Sequence, residues 1–144
     1  MKREIRIEKI WSDVDMVELQ VEVSDGTSLF SNRVYVGHSV FSDAISDLNA
    51  FRDHVHGGLL DVRFGGFGCE YAHGAFHARF HFPSPGRLYI TCVQESDFEE
   101  FGRKTVASSA TMYLKSEPGL LDNFVAELRA MASGARDEAH LEAI

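Results

Sequence analysis

The sequence predicts an α+β domain, one antiparallel sheet of about six to seven strands packed by two amphipathic helices. Three observations predict it. Residues 17–23 alternate strictly between apolar and polar, which buries one face of a strand and wets the other, the habit of antiparallel sheets. Two segments, 40–55 and 120–131, repeat their apolar residues at three- and four-residue steps, as a helix with one buried stripe must. Turn signals of the Asp-Gly and Pro-Gly kind then join strand to strand, and a single helix interrupts them. A doubly wound parallel sheet needs strand and helix to alternate throughout and is excluded.

The elements follow in order. Residues 4–10 form a short strand, with Ile5, Ile7 and Lys9 on one side and Glu4, Arg6 and Glu8 on the other. Such charges discourage pairing with other chains at a sheet edge. Residues 11–15, Trp11-Ser12-Asp13-Val14-Asp15, are a polar break. In the next strand Val17, Leu19, Val21 and Val23 face the core. Asp25-Gly26 makes the hairpin turn, because glycine tolerates the positive φ that tight turns require. The returning strand covers about residues 28–36, with Phe30, Val34 and Val36 inward. The first helix carries Phe41, Ala44, Ile45, Leu48, Phe51 and Val55 with Val40 on one stripe. Ser39 is its expected N-cap, and Gly57-Gly58 stop it.

Residues 59–64 are strand-like, and Gly65, Gly66 and Gly68 form a loop. Residues 71–82 read as the longest strand, with Phe76, Phe80 and Phe82 on one face and His73, His77, Arg79 and His81 on or near the other. Pro83-Ser84-Pro85-Gly86 turns the chain into a partner strand over residues 87–95. Residues 96–102 are an acidic connection, and 105–114 alternate again. Pro118 suits the first turn of the second helix, where its missing N–H costs nothing. Leu120, Leu121, Phe124, Val125, Leu128 and Met131 form that helix's stripe, and Ser133-Gly134 end it. The expected order is βββαββββα, with residues 1–134 as one domain and 135–144 as a tail or short helix.

The chain has 144 residues, 44% hydrophobic and 25% charged, which suits one core rich in its 11 phenylalanines. Two cysteines, Cys69 and Cys92, are too few for a disulfide framework and lack zinc-knuckle spacing. The opening Met1-Lys2-Arg3-Glu4 leads into a strand without an apolar leader, and no apolar run reaches the length that spans a bilayer. A cytoplasmic protein is expected. The formal net charge of −8 argues against nucleic acid and against anionic membranes as partners. It is compatible with a basic protein partner, since opposite charge speeds encounter.

No motif specifies a chemistry. His77, Arg79 and His81 project from one face of a strand, but imidazoles four residues apart on a strand are about 13 Å apart along the chain, too far to share a metal without a bend. A wet sheet face is the plainer reading. The loop Gly65-Gly66-Phe67-Gly68-Cys69 lacks the Lys-Ser/Thr of a phosphate loop and the spacing of a dinucleotide turn. Cys69 lies four residues before His73, yet a thiol nucleophile needs a lowered pKa and an orienting base. Asp97, Glu99 and Glu100 are acidic neighbours, and such runs are usually solvated. No metal or cofactor is expected.

The stretch Trp11-Ser12-Asp13, then Val17-Glu18-Leu19-Gln20-Val21-Glu22-Val23, then Asp25-Gly26-Thr27-Ser28 and a helix about a dozen residues on, resembles small bacterial proteins of the wall-associated-protein immunity type and related bacterial domains. The closing helix with Phe124-Val125-Ala126-Glu127-Leu128 fits the same layout, whereas the His-bearing strand from His73 to His81 departs from it. The resemblance implies a non-enzymatic protein that neutralises a toxin domain by binding it. On this reading the contact residues are His77, Arg79, His81, Asp97, Glu99 and Glu100, and the partner is a protein, concretely a basic toxin domain. A small metal-binding or hydrolytic enzyme using His73, His77, His81 and Cys69 is the alternative. A homodimer or other homo-oligomer, joined through the exposed sheet face or an edge strand, is the third reading.

Overall fold

In the computed structural model, which describes every residue except Ala72, twelve elements follow one another along the chain. These are β1 (Arg3–Ser12), β2 (Met16–Asp25), β3 (Leu29–Gly37), α1 (His38–Phe51), β4 (Leu59–Gly65), β5 (Ala75–Ser84), β6 (Arg87–Glu95), β7 (Glu99–Phe101), β8 (Lys104–Val106), β9 (Ser109–Ser116), α2 (Pro118–Ala132) and β10 (Glu138–Glu142). The class is α+β and every strand pairing is antiparallel.

The single sheet of six to seven strands is corrected. Two four-stranded sheets form instead, one in the order β10-β1-β2-β3 and the other β4-β5-β6-β9, with β7 and β8 as a separate hairpin. Alternation reports that a strand has one buried face; it does not report which sheet owns the strand. Two sheets facing one core therefore write the same pattern as one long sheet. The helices mark the division: α1 carries the chain from β3, an edge of the first sheet, to β4, an edge of the second, and α2 returns it from β9 to β10.

Local expectations are corrected as well. Residues 135–144 are not a tail or helix: Glu138–Glu142 is β10, paired along β1, with Ala139 and Leu141 fully buried. The acidic connection folds as the β7–β8 hairpin, and the longest-strand expectation shortens, since β5 begins at Ala75 and leaves His73 in the preceding loop. Ala72, inside that expected strand, lies outside the described residues. α1 starts at His38 with Gly37 as its N-cap, so Ser39 falls in the first turn and caps nothing, and Val40 points to solvent. α1 also ends at Phe51, before Gly57-Gly58.

One hydrophobic cluster joins the inner faces of both sheets to both helices. Phe51 of α1 stacks on Phe82 at 4.9 Å between ring centroids and meets Phe80 edge-on, and Phe41 packs against Phe64. Burial of each such side chain is worth about 1.5–3 kcal/mol. The void between helices and sheets, lined by Ile5, Phe41, Phe64 and Phe124 among others, holds about 10 Å³, so this core has no room for a ligand.

Away from the helices, two buried amides tie sheet to sheet. Asn32 of β3 donates through Nδ2 to the carbonyls of Ala75 and Glu95 at 3.1 and 3.0 Å. Gln94 of β6 donates through Nε2 to the carbonyls of Val21 and Phe30, both at 3.2 Å, and to Asn32 Oδ1 at 2.8 Å. Each sheet thus lends an amide to the backbone of the other, and the cost of burying polar groups is offset by their hydrogen bonds. Beside this clamp the β4–β5 loop comes against β3 at Gly74 (φ +82°), where a Cβ would lie 2.2 Å from the Arg33 carbonyl. Only glycine allows that approach.

A candidate recognition surface on the first sheet

The register of β1 on β2 slips between Lys9 and Trp11. Up to Lys9, the even residues of β1 face outward and Ile5 and Ile7 face the core. The extra residue of the bulge reverses this phase, so Trp11 lies opposite Glu18 on the outer face. Glu18 in turn lies opposite Tyr35 of β3. Trp11, Glu18 and Tyr35 therefore form one row across three strands, and sequence reasoning missed it because it treated residues 11–15 as a break. Asp13, whose Oδ1 accepts the backbone N–H groups of Asp15 and Met16 at 2.8 and 2.9 Å, fixes the turn that brings β2 back beside Trp11.

The two rings meet edge to face at 6.4 Å, and His73 from the β4–β5 loop meets Tyr35 edge to face at 5.3 Å. Trp11 is 47% exposed and Tyr35 37%, while Glu18 between them is only 9% exposed. The Glu18 carboxylate beside the Tyr35 hydroxyl raises the phenol pKa above its ordinary value, while Arg33 works in the opposite direction. Arg33 Nη1 stands 3.9 Å from Glu18. A half-exposed tryptophan and tyrosine, fixed by their neighbours and set over a carboxylate, have the composition of an interface anchor.

Asp97 and Glu99 adjoin this row. With Gln20, Ser31, Arg33 and Ser96 they line an open groove of about 330 Å³ along the edge of β3. Glu100, opposite Thr105, is exposed on the β7–β8 hairpin. The acidic group expected from the sequence thus borders the first sheet.

His77, Arg79 and His81 lie elsewhere, on the outer face of the second sheet, with Phe76, Phe80 and Phe82 buried behind them. The structure adds Asp61 of β4, directly opposite Arg79. Its carboxylate accepts from Arg79 Nε and Nη2 at 2.9 and 3.1 Å and from His77 Nε2 at 2.8 Å. Arg79 first and His77 second hold the Asp61 carboxyl well below the usual carboxylate range. This is a closed set: the one acid is already taken by both bases. The sequence held a signal for it, since Asp61 is the acidic residue of an otherwise apolar and basic strand.

The residues of the enzyme alternative do not converge. His73 packs on Tyr35, His77 is bound to Asp61, and Cys69 is exposed in the loop. Cys92 is buried, which pushes its thiol up to about 12. Among the described residues, no group of three or more His, Cys, Asp and Glu side chains is placed to hold a metal ion. No helix among them is long and apolar enough to cross a membrane. Comparison with known proteins finds no family model, no curated protein and no solved structure that matches this chain.

Proposed function

We propose that this chain is a binding protein, not an enzyme, and that it recognises a basic surface of another protein through Trp11, Tyr35 and the carboxylates beside them. The observation that carries the reading is the bulge in β1, which turns the only tryptophan of the chain out of the core and sets it beside Tyr35 over Glu18. Bulges re-aim side chains at functional places, and tryptophan, tyrosine and arginine dominate binding energy in interfaces. Asp97 and Glu99 at the flank, with the net charge of −8, favour a partner rich in Lys and Arg.

The layout resemblance to immunity-type proteins supplies the partner to try first, a basic bacterial toxin domain encoded beside this chain. Neutralisation would then be steric or competitive and would need no chemistry from this protein. The test is titration calorimetry of the purified chain against that toxin domain, with growth rescue on co-expression. A complex is expected whose association rate falls as salt rises. Absence of a complex, or a complex indifferent to both Trp11→Ala and Tyr35→Ala, would sink the reading.

A further inference from the structure

The sheet edges are treated differently. On β10 the outward backbone groups are capped by side chains: Glu127 accepts the N–H of His140 at 2.7 Å, Arg136 Nε donates to the Glu138 carbonyl at 2.8 Å, and Ser116 Oγ donates to the Glu142 carbonyl at 2.7 Å. The edge of β3 is met by Gly74 at the Arg33 carbonyl. The edge of β4 packs beside β3 and α1 and carries Asp61 and Arg63 at its outward positions. These are the usual means by which proteins blunt edges.

The edge of β9 approaches β2 and carries Lys115 at an outward position, but no side chain among the described residues caps its backbone. The ladder from Ser96–Ser108 onward turns the even residues of β9 toward β6, so the N–H and C=O groups of Ser109, Thr111 and Tyr113 point away from the sheet. Among the described residues these groups have no partner; only the Lys115 carbonyl, at the far end, accepts the Ile144 N–H at 2.8 Å. The strand contains no proline and no register shift, and Tyr113 is 73% exposed.

We propose that β9 is a dimerisation edge and that its occupant is β9 of a second copy, paired antiparallel across a two-fold axis at Thr111. The sequence is self-complementary in that register. Thr111 faces Thr111, Ser109 faces Tyr113, and Lys115 faces Ala107, so no charge meets its like despite a chain of net charge −8. Three outward residues on each copy exchange about six backbone hydrogen bonds, and two four-stranded sheets become one continuous sheet. This pairing is independent of the recognition surface on the first sheet.

Sedimentation of the full chain from micromolar to submillimolar concentration, with amide hydrogen exchange at both ends of the range, tests the pairing. A concentration-dependent dimer is expected in which the amides of Thr111 and Tyr113 become protected. Thr111→Lys sets two lysines against each other and weakens the dimer at least about tenfold. Thr111→Pro removes only an N–H that points away from β6, so the chain folds but the dimer is lost. A monomer at every concentration overturns the proposal. So does a dimer whose Thr111 and Tyr113 amides exchange freely, a result that needs no variant, and so does protection that appears only when a different protein is added.

Discussion

The outer faces of the two sheets carry similar residues and use them in opposite ways. On the second sheet, Arg79 and His77 spend their hydrogen bonds on Asp61, so the polar face answers its own charges. Part of the first sheet does the same: Arg6 bridges Glu8 and Glu138, while His140 stands between Glu4 and Glu138, and Arg6 above all holds the Glu138 carboxyl below its ordinary range. The Trp11–Glu18–Tyr35 row differs. Its carboxylate is covered, but its two rings present apolar and polarizable area that nothing in the described chain covers. A face whose groups satisfy one another is a solvated surface; a face that holds rigid aromatic area out of the core is equipped to meet something else.

The sharpest way to break that contrast is to truncate each face and read binding and stability separately. Trp11→Ala should cost the largest effect in binding, about thirtyfold or more in Kd, because a central anchor is typically worth 2 kcal/mol or more. It should leave stability nearly unchanged, since Trp11 is half exposed. Calorimetry against the basic partner, paired with urea unfolding, checks both halves. A Trp11→Ala protein that binds normally but unfolds early would make the tryptophan a structural residue.

Asp61→Asn should behave in the reverse sense, with binding intact and stability lower by about 1 kcal/mol at neutral pH, a value limited by water around the half-exposed Arg79. The sign follows from linkage. The Asp61 carboxyl is held low in the folded state, so its contribution is complete above the unfolded value of about 3.9 and is lost progressively as pH falls below it. The gap between wild type and Asp61→Asn should therefore close in acid. A gap that stays constant from neutral pH into the acid limb would show that the loss is packing and not charge.

These two faces also show what strand alternation can convey. The buried residues of β2, β5 and α2 follow from period two and period 3.6, and the expected inward Phe76, Phe80 and Phe82 are buried. The pairing of strands into two sheets does not follow, because α1 and α2 cross between sheets without changing any local period. Asn32 and Gln94 were passed over since polar residues at inward positions look like breaks in the pattern until their backbone acceptors on the opposite sheet are known. Trp11 was passed over for the mirror reason: the bulge shifts phase by one residue, and a pattern read without it places the ring outside any strand. The acidic group was legible as a cluster, but not its position along the edge of β3 near Tyr35, which depends on how the connection after β6 packs against that edge.

His81 offers a milder check. It shares the outer face with the Asp61 set but has no hydrogen bond or ion pair among the described residues. His81→Ala should change stability by less than about 0.5 kcal/mol and should not alter binding at the first sheet. A clear loss of binding in His81→Ala, with Trp11→Ala silent, would move the recognition surface to the second sheet.

The smallest expected effect is also the most specific to the row. In Glu18→Gln the Tyr35 hydroxyl loses its charged neighbour, so the raised phenol pKa should fall toward the ordinary value of about 10. The Tyr35 ring resonance followed through alkaline titration reads this directly, with Tyr35→Phe to assign it. Linkage again gives the sign: a folded pKa above the unfolded one contributes stability that is complete below about pH 10 and is lost as pH rises through the folded value. Glu18→Gln should therefore differ most from wild type at neutral pH and converge with it in strong base. An unmoved Tyr35 titration would mean that the carboxylate does not hold the phenol, and the ring would then be positioned by Trp11 and His73 alone.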